Sequence, residues 1–68
     1  MALQLASTDL ERRRTEISIC ANHRQMNLTM MDGFLRNGDH ELAERARKNA
    51  AKAETGLFLA LFAYFRSL

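Results

Sequence analysis

Leu35-Arg36-Asn37-Gly38-Asp39-His40-Glu41-Leu42, near the middle of a 68-residue chain, places helix-stop and helix-start signals side by side. Asn37 and Gly38 accept the left-handed backbone conformation that ends a helix, and the Asp39 carboxylate can cap a helix that begins at His40. There is no proline, and the three glycines, Gly33, Gly38 and Gly56, are scattered, so long uninterrupted helices are favoured on both sides of this turn. The first helix is expected over residues 8–36, starting at the capping-box pattern Thr8-Asp9-Leu10-Glu11. The second is expected over residues 40–67, with Gly56 tolerated at about 1 kcal/mol relative to Ala. Residues 1–7 form an N-terminal extension and 37–39 the turn, although Gly33 weakens the helix just before it and lets that boundary move by a turn.

A connection this short forces the helices antiparallel, which predicts an all-α fold, a two-helix hairpin. With the turn at 37–39, residues whose numbers add to about 77 face one another. On the first helix Leu10, Ile17, Ala21, Leu28, Met31 and Leu35 share one side. The second helix answers with Leu42, Ala46, Ala50, Ala53, Leu57, Ala60, Tyr64 and Leu68. Large residues then mostly meet small ones, while Arg14 and Arg24 fall on or near the stripe and must snorkel or find carboxylates such as Glu54.

Seven large apolar residues lie outside this seam: Ile19, Met26, Met30 and Phe34 on the first helix, Phe58, Phe62 and Phe65 on the second. A hairpin has one inner face, so in an isolated monomer these side chains stand in water, and burying each is worth roughly 1.5–3 kcal/mol. They are the expected partner-binding residues, and the hairpin is expected to be completed by a partner chain or by self-association. Leu3 and Leu5 are available to fold back over part of the Phe end. So small a chain also buries little surface of its own, and the single cysteine, Cys20, cannot staple it by an internal disulfide.

Composition argues against other functions. The net charge of +2 does not suggest a dedicated nucleic-acid surface. The basic clusters Arg12-Arg13-Arg14 and Arg45, Arg47, Lys48 and Lys52 have acidic neighbours, with Glu41 four before Arg45 and Glu44 four before Lys48, and no aromatics interleave with them. Cys20 and His23 are the one nucleophile-and-base pair, but no third group orients them and a hairpin encloses no pocket, so catalysis is not expected. His40 reads as a solvated first-turn residue. No metal or cofactor is implied by the two histidines and one cysteine. Residues 1–7 lack the pattern of a secretion signal, and the longest apolar run, Leu57 to Phe65, is less than half the ~20 residues that cross a bilayer. A cytoplasmic protein is expected.

From Leu35 to Leu57 the chain resembles the small co-chaperones of bacterial type III secretion needle subunits. Leu35-Arg36 at the end of a first helix, the Gly38 turn with Glu41 soon after, and a second helix carrying Ala50, Glu54 and Gly56-Leu57 carry the likeness over about a third of the chain. His40 stands where that family often has proline. The resemblance implies a cytosolic protein that pairs with a larger tetratricopeptide-like chaperone and keeps a needle subunit soluble before export, with Met26, Met30, Phe34, Phe58, Phe62 and Phe65 as contacts. Read from the residues alone, a homodimeric four-helix-bundle regulator, with RNA as one conceivable ligand, and a small protein inhibitor stay open beside it.

Overall fold

The computed structural model describes the backbone of residues 2–68 and the side chains of residues 9–68. Two α-helices, α1 (Ala2–Arg36) and α2 (His40–Ser67), pack as an antiparallel hairpin. The hairpin is a single flat layer, with Cα extents of 55 × 15 × 11 Å.

The turn closes through a double cap. The Asp39 N–H donates to the Phe34 carbonyl at 2.8 Å and the Gly38 N–H to the Leu35 carbonyl at 3.1 Å, which is the Schellman arrangement. Gly38 takes the left-handed position with φ +75°, and it is the one residue among those described with positive φ. Asp39 then opens α2, its carboxylate accepting from the Leu42 N–H at 3.1 Å. Helix α1 passes through Gly33 without a break.

The start of α1 differs from the expectation. The helix begins at Ala2 instead of at the Thr8 capping box. Ala2-Leu3-Gln4-Leu5-Ala6 are strong helix formers with no breaker among them, so the helix propagates back past a residue pattern that permits a start without compelling one. Coverage of the Phe end by Leu3 and Leu5 concerns side chains outside those described.

Three contacts across the hairpin set its register. Arg14 Nε donates to the Tyr64 hydroxyl at 3.3 Å, Arg24 pairs with Glu54 at 3.7 Å, and Gly56 lies against Cys20 Sγ. Their residue numbers add to 78, 78 and 76, which centres the register on the expected 77.

Burial shows which residues use it. On α2 the covered positions include the row Ala43, Ala46, Ala50, Ala53, Leu57, Ala60 and Tyr64, alternating in steps of three and four, with Gly56, Leu61 and Ala63 half-buried beside it. On α1 Leu10, Arg13, Ile17, Cys20, Arg24, Asn27, Met31 and Phe34 form a row with the same alternation, and Asp9, Leu28 and Gly33 are half-buried beside it. Both are heptad seams, as in a coiled coil.

This corrects the expected stripe on α1. Ala21 and Leu35 are exposed, and their places are taken by the preceding residues, Cys20 and Phe34. On α2, Leu42 is exposed and the neighbouring Ala43 is buried, while Leu68 is also exposed. Four of the seam positions of α1 hold Arg13, Cys20, Arg24 and Asn27, so a search for apolar periodicity drifts to the adjacent row, where Ala21, Leu28 and Leu35 recur every seven residues.

Among the described residues the buried ones, Ala43, Ala46, Ala50 and Ala60, are all alanines. Small side chains on α2 let the helices approach closely, but they bury little area each, and no large side chain among those described is fully covered.

Candidate partner-binding faces

Most charges near the seam are satisfied locally. Asp9 accepts from Arg12 at 2.7 Å and from Arg13 at 3.1 Å, and the Arg13 bond holds its carboxyl below the usual range. Glu44 accepts from Arg47 Nε at 2.9 Å, which lowers its pKa in the same way; the sequence had suggested Lys48 as its partner. Glu41 pairs with Arg45 at 3.4 Å and Asp32 with Arg36 at 2.9 Å. Thus Arg12, Arg13, Arg45 and Arg47 of the two basic clusters are held by carboxylates of their own helix.

Arg14 and Arg24 resolve their places near the seam differently. Arg14 reaches the Tyr64 hydroxyl and lays its guanidinium 5.8 Å from that ring's centroid. Arg24 meets Glu54, the carboxylate expected for it, in a half-exposed pair. Asn27 turns back on its own helix, its side-chain amide donating to the His23 carbonyl at 2.8 Å.

Of the seven expected partner-binding residues, six are substantially exposed. Phe58, Phe62 and Phe65 are each 62–64% exposed, Met26 58%, Ile19 50% and Met30 44%. Phe34 is the exception, because it is half-buried on the α1 seam at the level of Ala43 and belongs to the hairpin's own core. Leu59, 66% exposed, carries no signal in the sequence, because it sits inside an apolar run on neither expected stripe.

These residues do not form one surface. At ~100° per residue, Met30 sits about a quarter-turn from the α1 seam and Ile19 and Met26 somewhat over a third of a turn, all toward one broad side of the hairpin. Phe58 and Phe65 sit somewhat over a third of a turn from the α2 seam toward the other side, and Phe62 is on the back of α2, opposite the seam. Leu28 and Leu35 of α1 and Leu61 and Leu68 of α2 share the side of Phe58 and Phe65 with Arg14, Arg47 and Glu54, whereas Leu42, Asn49, Gly56, Leu59 and Ala63 of α2 share that of Met26 and Met30. The Phe cluster is organised: Tyr64 and Phe65 meet edge to face at 5.6 Å, and the Arg66 guanidinium lies 5.6 Å from the centroid of the Phe62 ring.

The residues that carry chemistry elsewhere are not assembled into a site. Cys20 is half-buried in the seam against Gly56, while His23 is exposed. His40 is exposed at the first turn of α2. Among the described residues no group of three His, Cys, Asp or Glu converges as a metal site would require, and no helix is long and apolar enough to cross a membrane.

No family model, curated protein or solved structure matches this chain.

Proposed function

We propose that this chain is a protein-binding module that acts as a small helical co-chaperone or adaptor, with the Ile19, Met26 and Met30 face receiving an amphipathic helix of a client. The observation that carries this reading is the exposure of those large apolar side chains in a row on a hairpin in which Arg12, Arg13, Arg36, Arg45 and Arg47 pair with carboxylates of their own helix. Methionine side chains are flexible and polarizable, which suits a groove that must fit a helix it does not itself contain.

The resemblance of residues 35–57 supplies the class of client. On that reading the chain works in the cytosol beside a tetratricopeptide-like chaperone, and together they cover a type III needle subunit before export. The Gly38 turn and the Ala50, Glu54 and Gly56-Leu57 positions of α2 are the features that support it.

Co-expression with a needle subunit and its tetratricopeptide-like chaperone tests the proposal. Recovery of a soluble complex of all three, lost in a Met26→Ser/Met30→Ser variant that keeps its helical circular dichroism, is the expected result. Failure of the wild-type chain to join either protein overturns the secretion reading.

A further inference from the structure

The face of Ile19, Met26 and Met30 carries a second signal, in the charges around it. Residues seven apart keep a constant angle to a heptad seam, so each broad side of the hairpin is built of rows with that repeat. On the methionine side the outer row of α2 is Arg45, Lys52, Leu59 and Arg66, and the row between it and the seam is Leu42, Asn49, Gly56 and Ala63. In the register near 77, Leu59 stands level with Ile19 and Lys52 with Met26, while Arg45 lies between Met30 and the turn. Apolar side chains therefore edge this strip along α1 and cations edge it along α2, with the small Asn49, Gly56 and Ala63 between them.

The two broad sides also differ in sign. The methionine side holds Arg12, Arg45, Lys52 and Arg66 against Asp9 and Glu16, and both carboxylates stand near the open end of the hairpin, before Ile19. From Ile19 to the turn that side has cations and no carboxylate. The Phe side holds Glu11, Asp32, Glu44 and Glu54 against Arg14 and Arg47. Arg45 has a solvated partner, Glu41 at 3.4 Å, with the two side chains 70% and 82% exposed. Lys52 has no ion pair among the described residues. Both cations are on long stems that can lie over the small row toward a docked chain.

Charges arranged in this way choose among helices. A helix with carboxylates beside its apolar row is attracted to the methionine side and repelled by the Phe side. We infer that the helix received by Ile19, Met26 and Met30 is acidic along one flank, with carboxylates that reach Arg45 and Lys52. These two cations are about 10.5 Å apart along α2 at 1.5 Å per residue, so carboxylates at positions i and i+7 of a helix lying along the strip match them. The inference rests on the reading that this face receives a helix, and it adds which kind.

Three synthetic amphipathic peptides separate the two. They share one row of leucines at helical spacing and differ only in the flank, which carries glutamate, glutamine or lysine at i and i+7. Each is titrated into the isotope-labelled full chain, followed by the methyl resonances of Ile19, Met26 and Met30 and by the Phe rings. The glutamate peptide is expected to bind about tenfold more tightly than the glutamine peptide at low salt, to lose most of that margin at high salt, and the lysine peptide to bind most weakly. An Arg45→Glu/Lys52→Glu variant should reverse the order of the glutamate and lysine peptides. Both positions are exposed and glutamate is a good helix former, so its circular dichroism should match that of the wild-type chain. Equal binding of all three peptides at the methionines overturns the inference and leaves helix docking standing. Contacts of the glutamate peptide with the Phe rings in place of the methionines overturn it as well, and binding of none of the three removes helix docking together with it. Methionine methyl shifts on dilution of the chain alone place a second copy on this face and also overturn it.

Discussion

Gly56 of α2 stands over Cys20 of α1 so closely that a Cβ built at Gly56 would lie 3.4 Å from the Cys20 sulfur. That distance is the near edge of ordinary van der Waals contact. A methyl group fits there, and a larger group does not. Gly56→Ala should therefore raise stability, by somewhat less than the ~1 kcal/mol that alanine gains over glycine inside a helix, since Cys20 must give a little. Gly56→Leu should lower the melting temperature. Thermal melts followed by circular dichroism decide both, and a destabilised alanine variant would show that the contact is tighter than its distance implies.

Gly38 is a different case. Its φ of +75° is one that side chains disfavour, although a Cβ there would meet nothing within 4 Å. Gly38→Ala is expected to cost about 1–2 kcal/mol through backbone strain alone. Gly38→Asn should cost less, because Asn tolerates the left-handed region. Equal losses in urea melts would argue against a strain origin.

Asp39 begins α2 with its carboxylate on the Leu42 N–H. Asp39→Ala removes that acceptor and should cost about 1 kcal/mol, while Asp39→Ser or Asp39→Asn should retain most of it. Amide exchange gives a local readout: faster exchange confined to the first turn of α2 is the expected outcome in the alanine variant.

The Arg24–Glu54 pair crosses the hairpin, yet both side chains are 41–48% exposed. Water screens such a pair, and a double-mutant cycle should give a coupling below about 1 kcal/mol that shrinks with added salt. A coupling of several times that size would mean that the pair is covered in solution by another chain.

Asp9 and Glu44 are held below their ordinary values of 3.8 and 4.5 by hydrogen bonds from Arg13 and Arg47 respectively. A carboxylate whose folded pKa is depressed contributes stability above its unfolded pKa and loses it as pH falls through the folded one. The stability gap between the wild-type chain and an Asp9→Asn/Glu44→Gln variant should therefore be constant near neutrality and close below about pH 5. Both groups are exposed, so the gap is small at any pH. A gap that widened on acidification would reverse the assigned sign.

The hairpin itself was legible in the residues. Asn37-Gly38-Asp39 is a stop and a start in one place, the absence of proline leaves two helices on either side, and a connection of that length leaves them antiparallel. The register near 77 followed from the turn alone. Even the exposure of Phe58, Phe62 and Phe65 could be read from spacing, since one inner face cannot hold both the alanine stripe and the aromatic one.

Tertiary structure decided which row of α1 faces the partner helix. Periodicity selected Ala21 and Leu35 because they are apolar, but both are exposed and the seam runs one residue earlier, through Cys20 and Phe34, while Leu28 stays half-buried beside Asn27. Phe34 moves from the partner face into the hairpin for that reason. Packing also separated the methionine and phenylalanine stripes onto opposite sides, which neither helix specifies by itself. The physical cause is common to both results: a helix carries its own pattern of polarity, but the direction of its contact is set by the neighbour, and here the close approach permitted by the alanines and Gly56 of α2 outweighs the cost of placing Arg13, Arg24 and Asn27 at the seam, each of which finds a polar partner there.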